Sequence, residues 1–282
     1  AADLLLEGLA GLEYRGYDSA GISLVTNKGI HTLKTAGRLQ NLIEEYRKSP
    51  EPASRCGIGP TRWATHGNPS DANAHPHGTA NVSLVHNGII ENYLELRKML
   101  RESGYEIKTQ TDTEVVAHLF EKPYEGDPVK ALIDTVGHLL GSYALAVTSA
   151  GAPNELVCTR KNNPLIVGIG EGENVIASDI PAILEMTRRY IVIADGEVVR
   201  VTPEKVTIYN ALGEEIEKEI LEVTWDVAAA EKGGHEHFMI KEILEQPKAV
   251  ADTVLPRIKN DLPDLDEYGL TSNVFKNVRN IH

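Results

Sequence analysis

Residues 142–178 read SYALAVTSAGAPNELVCTRKNNPLIVGIGEGENVIAS. Short apolar runs follow one another here: SYALAVTS (142–149), ELVCTR (155–160), PLIVGIG (164–170) and NVIAS (174–178). Only Gly, Pro, Asn and a few charged residues separate them. No connection is long enough to carry a crossover helix, so successive strands pair antiparallel. The series continues with RYIVIA (189–194), GEVVRVT (196–202) and KVTIYN (205–210). A doubly wound α/β fold needs strands and helices to alternate throughout, and this half of the chain rules that out.

Upstream the pattern is mixed. Residues 1–12 place Leu5, Leu9 and Leu12 on one helical face. Residues 20–27 and 30–36 read as a hairpin closed at Asn-Lys-Gly, and 38–48 as an amphipathic helix. NVSLVHNGII is an apolar strand expected to stop at Asn87-Gly88. NYLELRKMLRESGY is a helix ending at Gly104, in the C′ position glycine favours. TDTEVVAHLFEK opens a helix that Thr111 or Thr113 can cap, and Pro128 starts another. Helix, strands, helices, many strands and a last helix from about 237 fit an α+β fold: a four-layer αββα sandwich of two mainly antiparallel sheets. GIGEGEN (168–174) has no Lys and leads into no helix, so it reads as a hairpin turn and not a phosphate loop.

The bulk numbers narrow the function. The 282 residues are 41% hydrophobic and 24% charged, normal for a globular protein. A formal net charge of −13 repels phosphate backbones and anionic lipid, so neither nucleic acid nor membrane is an expected partner. No apolar run approaches the roughly 20 residues of a membrane span. Two cysteines, Cys56 and Cys158, exclude a disulfide framework and fit a cytoplasmic protein. Both lie in strand-like runs and read as structural.

The chemistry concentrates in TRWATHGNPSDANAHPH (61–77) and in HNGIIEN (86–92). His66, His75, His77 and His86 raise a metal site as one alternative. However, Pro76 separates His75 from His77, and no carboxylate or thiol stands at matching spacing, so no metal and no cofactor is expected. Asn87 and Gly88 supply a side-chain amide beside a backbone N–H, the makings of an oxyanion hole. Asp112, at a helix start in TQTDTE, stays ionised and suits a substrate ammonium. Arg62 suits a substrate carboxylate. Singly, each also reads as a cap, turn or surface ion pair. As a set they fit an amino acid whose side-chain amide is cleaved.

LEYRGYDSAGI, TRWATHG, NAHPH, HNGIIEN, TDTEV and GSYALAV, in this order, resemble the glutaminase domains of the glucosamine-6-phosphate synthase family, the isomerising glutamine–fructose-6-phosphate aminotransferases. The likeness extends to MIKEILEQP near the end. It implies an N-terminal-nucleophile hydrolase: an N-terminal Cys attacks the amide of L-glutamine, with its own α-amine as base. The resemblance further implies that Arg62 holds the α-carboxylate and Asp112 the α-amine. Asn87 and Gly88 would form the oxyanion hole, and Thr65, His66 and Gly67 would close over the substrate. Trp63 would gate the ammonia path, and Arg15 would sit near the nucleophile. Pro60 departs from the His of many relatives. The family's Cys and first strand do not appear ahead of Ala1. The expectation is that such a segment precedes it, the alternatives being an inactive glutamine-binding module or, from the histidines, a metal hydrolase. Residues 1–236 are then the glutaminase domain lacking its first strand. Residues 237–282 are a helix and linker toward a sugar-isomerase domain, and a homo-oligomer is expected.

Overall fold

The computed structural model describes residues 1–13, 16–48, 54–224, 235, 237–266, 269–276 and 278. In chain order the elements that place the site are α1 (Ala2–Ala10), β1 (Ser19–Thr26), β2 (Gly29–Ala36), α2 (Leu39–Lys48), β3 (Cys56–Ile58), β4 (Thr61–Arg62), β5 (His77–Gly78) and β6 (Val82–Ile90). There follow α3 (Tyr93–Glu102), α4 (Glu114–Glu121), α5 (Pro128–Val136), β7 (Gly141–Ser149), β8 (Ala152–Lys161), β9 (Ile166–Ile169) and β10 (Asn174–Ala177). The strand series closes with β11 (Arg189–Val192), β12 (Val198–Val201), β13 (Val206–Tyr209), β14 (Glu215–Ile216) and β15 (Leu221–Glu222), before α6 (Phe238–Val254).

The run quoted above builds the centre. A seven-stranded sheet has the order β14-β13-β12-β8-β7-β6-β5, with antiparallel pairing throughout. One face carries α3, α4 and α5 over a core that includes Leu84, Leu145, Val157, Leu100, Phe120 and Leu132. Phe120 is fully buried, and truncating it to Ala costs about 3–5 kcal/mol. The other face packs Ala144, Ala146, Cys158 and Val199 against Ile58 of β3 and Val167 of β9. Those strands belong to two four-stranded sheets, one of β1–β4 and one ordered β10-β9-β11-β15. Leu6, Leu9, Leu39 and Leu42 of α1 and α2 cover the first of these, against Ile22 and Leu24 of β1. The α+β sandwich with helices outside the sheets is therefore present. GIGEGEN is the β9–β10 hairpin, with Asn174 paired to Ile169.

Two local expectations need correction. β6 does not stop at Asn87-Gly88; it pairs with β7 from Val82↔Ser149 to Ile90↔Gly141. Gly88 stays in the ladder at φ +137°, a value that a side chain would resist. Thr113 stands at the N-cap of α4 but makes no capping bond with its side chain. Its hydroxyl is engaged with two histidines, described below. Glu114 closes the helix start instead, accepting from the Lys108 N–H at 2.8 Å and the Thr109 N–H at 2.6 Å.

The chain divides into two compact units, Ala1–Thr224 and Trp225–His282. α6 belongs to the second. No described helix is long and apolar enough to cross a membrane.

Candidate active site

A cleft of ≈ 1370 Å³ in the first unit is lined by Arg62, Trp63, Thr65, Asn87, Gly88 and Asp112, among others. Residues scattered over 50 positions of sequence thus reach one cleft. The long β6–β7 ladder presents Asn87 and Gly88, and β4 is brought beside β1 by the pair Ser19↔Arg62.

At Gly88 the backbone leaves no room for a side chain. A Cβ there would stand 2.1 Å from the Ser142 carbonyl oxygen and 2.5 Å from Asn163 Nδ2. Asn163 Nδ2 also donates to the Asn87 carbonyl at 2.5 Å.

Asp112 is 3% exposed. Its Oδ2 accepts from the Ile90 N–H at 2.9 Å, so the end of β6 fixes it. His66 Nδ1 lies 4.0 Å from Oδ1 and His86 Nδ1 3.9 Å from Oδ2. The turn before α4 is tied on every side. Asn73 accepts from the Gln110 N–H at 3.0 Å, and Arg97 Nη2 donates to the Thr111 carbonyl at 2.7 Å. Burial works against the Glu114 carboxylate. Hydrogen bonds from His118 and from the Lys108 and Thr109 N–H groups outweigh it and bring its pKa to about 2.

Three histidines pack beside these residues, and His75 and His86 line the cleft as well. His86 Nδ1 and His75 Nε2 lie 2.9 and 3.3 Å from Thr113 Oγ1, and His77 Nε2 lies 3.2 Å from Thr111 Oγ1. Burial lowers all three pKa values, His77 to about 3 and His75 well below its ordinary value, so all are neutral near pH 7. Lys34 holds the loop that carries His75 and leads into His77, donating to the carbonyls of Ala72, Ala74 and Pro76 at 3.1, 2.9 and 3.3 Å. Among the described residues no three His, Cys, Asp or Glu side chains converge on a metal position. The four-histidine metal reading therefore has no ligand set there: His75, His77 and His86 each set one ring nitrogen against a threonine hydroxyl.

Arg62 is held differently. Its guanidinium is 7% exposed, and Nη2 donates to the carbonyls of His66 and Gly67, at 2.5 and 3.3 Å. Nη1 makes no hydrogen bond and lies 3.9 Å from Asp18 Oδ1. Asp18 itself accepts from the Ala64 N–H, which ties the loop back to β1. His66 and Gly67 thus meet Arg62 through their backbone carbonyls and do not line the cleft. The His66 ring lies edge-on to Tyr93, centroids 5.0 Å apart. Trp63 is 64% exposed and meets Tyr17 edge-on at 5.5 Å. Arg15 lies outside the described residues.

Both thiols are buried, although Cys56 also lines the cleft. Burial raises the pKa of Cys56, whose Sγ lies 3.6 Å from both Thr148 Oγ1 and the Glu155 carbonyl. Cys158 is fully buried and pushed up further. Sequence reasoning missed Asn73, Glu114 and Asn163. Asn73 stood within the quoted histidine-rich stretch, and Asn163 in the Asn-Asn-Pro break between two strands, where the sequence shows a turn but not what the turn touches.

A family model described as a glutamine amidotransferase domain matches residues 64–185. The isomerising glutamine–fructose-6-phosphate aminotransferase of Clostridium acetobutylicum is 50% identical over 285 residues, covering 100% of this chain and 47% of its own length. Its counterpart in Aquifex aeolicus is 49% identical over 256 residues, covering 90% and 43%. The chain spans about half the length of the curated relatives it matches. Among solved structures, the glutamine phosphoribosylpyrophosphate amidotransferase of B. subtilis, in complex with ADP and GMP, superimposes with a TM-score of 0.65 at 24% identity. That match covers 75% of this chain and 47% of that one. A glutamine aminotransferase class-II domain protein from Silicibacter pomeroyi gives 0.51 at 14% identity, covering 68% and 91%. The likeness to both is one of fold.

Proposed function

Since the chain carries a glutamine amidotransferase domain, we propose that its cleft binds L-glutamine and splits the side-chain amide into glutamate and ammonia. The observation that supports this reading is a buried carboxylate, a buried guanidinium and the Asn87–Gly88 pair in one cleft. Arg62 takes the substrate α-carboxylate, where two parallel N–H bonds suit a carboxylate better than its present carbonyl partners do. Asp112, pre-set by the Ile90 N–H, takes the α-ammonium. The scissile amide then falls toward β6. A thiolate attacks its carbon, the carbonyl oxygen gains the negative charge, and the Asn87 amide and the Gly88 N–H stabilise it. Collapse of that intermediate expels ammonia, and water releases glutamate from the thioester.

Burial raises the pKa of Cys56 and of Cys158 and works against a thiolate at either, so the nucleophile in this reading is the N-terminal cysteine that the resemblance implies. Thr65, His66 and Gly67 close over the substrate, Trp63 screens the ammonia exit, and Arg15 stands near the attacking group. Delivery of ammonia to fructose 6-phosphate belongs to the sugar-isomerase half that the relatives' names imply. No cofactor is required, and the setting is a cytoplasmic homo-oligomer.

Glutamate release and glutamine calorimetry on the full-length protein test the proposal. Glutamine binding that is abolished in Asp112→Ala, together with glutamate release, is the expected result. Binding without release in a chain that carries its N-terminal cysteine would reduce the domain to a glutamine-binding module. Absence of binding with Arg62 and Asp112 intact overturns the reading altogether.

A further inference from the structure

Asn163 lies outside every motif that marks the site, yet it touches both residues of the Asn87–Gly88 pair. Its backbone is fixed on both sides. Asn162, just before it, adopts the left-handed conformation at φ 62°. The Asn162 N–H donates to Asp195 Oδ1 at 3.0 Å, and Asp195 is paired with Arg160 Nη2 at 2.7 Å. Pro164, just after, biases Asn163 toward an extended backbone. From this anchored turn the side chain reaches 76 positions back along the chain and donates Nδ2–H to the Asn87 carbonyl. It also lines the cleft.

The Asn87 carbonyl and the Gly88 N–H belong to one peptide plane. In a trans peptide they point in opposite directions, and the plane is stiff. Whatever fixes the carbonyl therefore fixes the N–H. Elsewhere in β6 the side chains and regular ladder geometry set the plane. At Gly88 neither does so fully, because φ is +137° and glycine tolerates a wide range of rotation. The carbonyl needs a donor, which an Asn amide supplies and an Asp carboxylate does not. We propose that Asn163 is a positioning residue for the oxyanion site: by holding the Asn87 carbonyl it aims the Gly88 N–H at the reacting carbonyl oxygen. This rests on the reading of Asn87 and Gly88 as oxyanion donors.

Steady-state glutaminase kinetics of the full-length protein test it with three variants. Losing an oxyanion donor outright lowers kcat by about 100- to 1,000-fold. Asn87→Ala is the control for that reading. Asn163→Ala, which leaves the donor present but unaimed, is expected to lower kcat about tenfold or more while KM stays within about twofold. Asn163→Asp keeps the shape, sets oxygen against oxygen, and is expected to lose more than the alanine variant. If Asn87→Ala is impaired while both Asn163 variants keep wild-type kcat, the positioning role alone is overturned. A kcat kept by Asn87→Ala removes the oxyanion reading and this inference with it. A lowered Tm with unchanged kcat in the Asn163 variants makes the contact merely structural and also overturns the inference.

Discussion

Asp112 and Arg62 carry opposite charges into the same cleft, and the protein holds them by different means. Asp112 is pinned by a strand that starts 30 positions earlier. The turn around it is tied to the 68–77 loop, to α3 and to the start of α4. Arg62 is held by carbonyls four and five residues along its own loop, with Nη1 free of hydrogen bonds. The carboxylate is fixed by a bond from another strand, whereas the guanidinium's own hydrogen bonds stay within its loop, which is tied to β1 through Asp18 and the Ser19↔Arg62 pair. A guanidinium resting on neutral carbonyls gains when a carboxylate replaces them. The proposed glutamine site is thus rigid at its amine and oxyanion end and adjustable at its carboxylate end.

The contrast is sharpest in stability. Gly88→Ala adds a Cβ 2.1 Å from the Ser142 carbonyl at a left-handed φ. Strain and overpacking together cost roughly 3 kcal/mol or more, so a fall in Tm of many degrees is expected by calorimetry. A wild-type Tm would mean that the end of β6 is soft, and the claim of a rigid end fails. Asp112→Ala comes next. It strands the Ile90 N–H, at roughly 1–3 kcal/mol, and removes the counter-charge of the substrate ammonium. Glutamine affinity should fall about a hundredfold or more. Stability and affinity are lost together here because one carboxylate serves both.

Arg62→Lys is the counterpart at the other end. The lysine keeps the charge but loses the two-pronged geometry. KM for glutamine should rise about tenfold, with Tm changed by less than that of Asp112→Ala. Equal losses of Tm in the two variants would erase the distinction.

The same division governs what could be read from the sequence. The sheet, its antiparallel order and its helices follow from strand runs broken by Gly, Pro and Asn, because those signals are local. Arg62, Asn87, Gly88 and Asp112 were legible because charge and amide chemistry in short motifs announce themselves. Their supports were not. Asn163 lies 76 positions from the carbonyl it holds, and Asn73 lies 37 from Gln110. Thr113 looked like a cap because its place beside Glu114 fits one. The histidines that claim its hydroxyl come from two other segments, and no local pattern shows them arriving. Gly88 likewise looked like a strand end, since the sequence carries the glycine but not the ladder partner that runs past it.

The smallest effect separates the two ends by pH. The Glu114 pKa is depressed from an ordinary glutamate's 4.5 to about 2. A carboxylate depressed on folding contributes stability that is fully present above its unfolded pKa and is lost as pH falls toward the folded one. The window is therefore pH 4.5 down to about 2, and at neutral pH the contribution is constant. Glu114→Gln retains one acceptor oxygen for the Lys108 and Thr109 N–H groups but cannot titrate. Its Tm at pH 7 should fall, because the carboxylate's contribution is lost there, while the acid limb of its stability curve between pH 4.5 and 2 should be flatter than that of the wild type, the two converging at the acid end. The turn that carries Asp112 is what Glu114 caps, so glutamine affinity should weaken on the same acid limb in the wild type before the whole unit unfolds. Urea midpoints measured at intervals across that window decide it. Parallel acid limbs in the variant and the wild type would show that the turn is held without Glu114, and that the rigidity of the anion end comes from β6 and Asn73 alone.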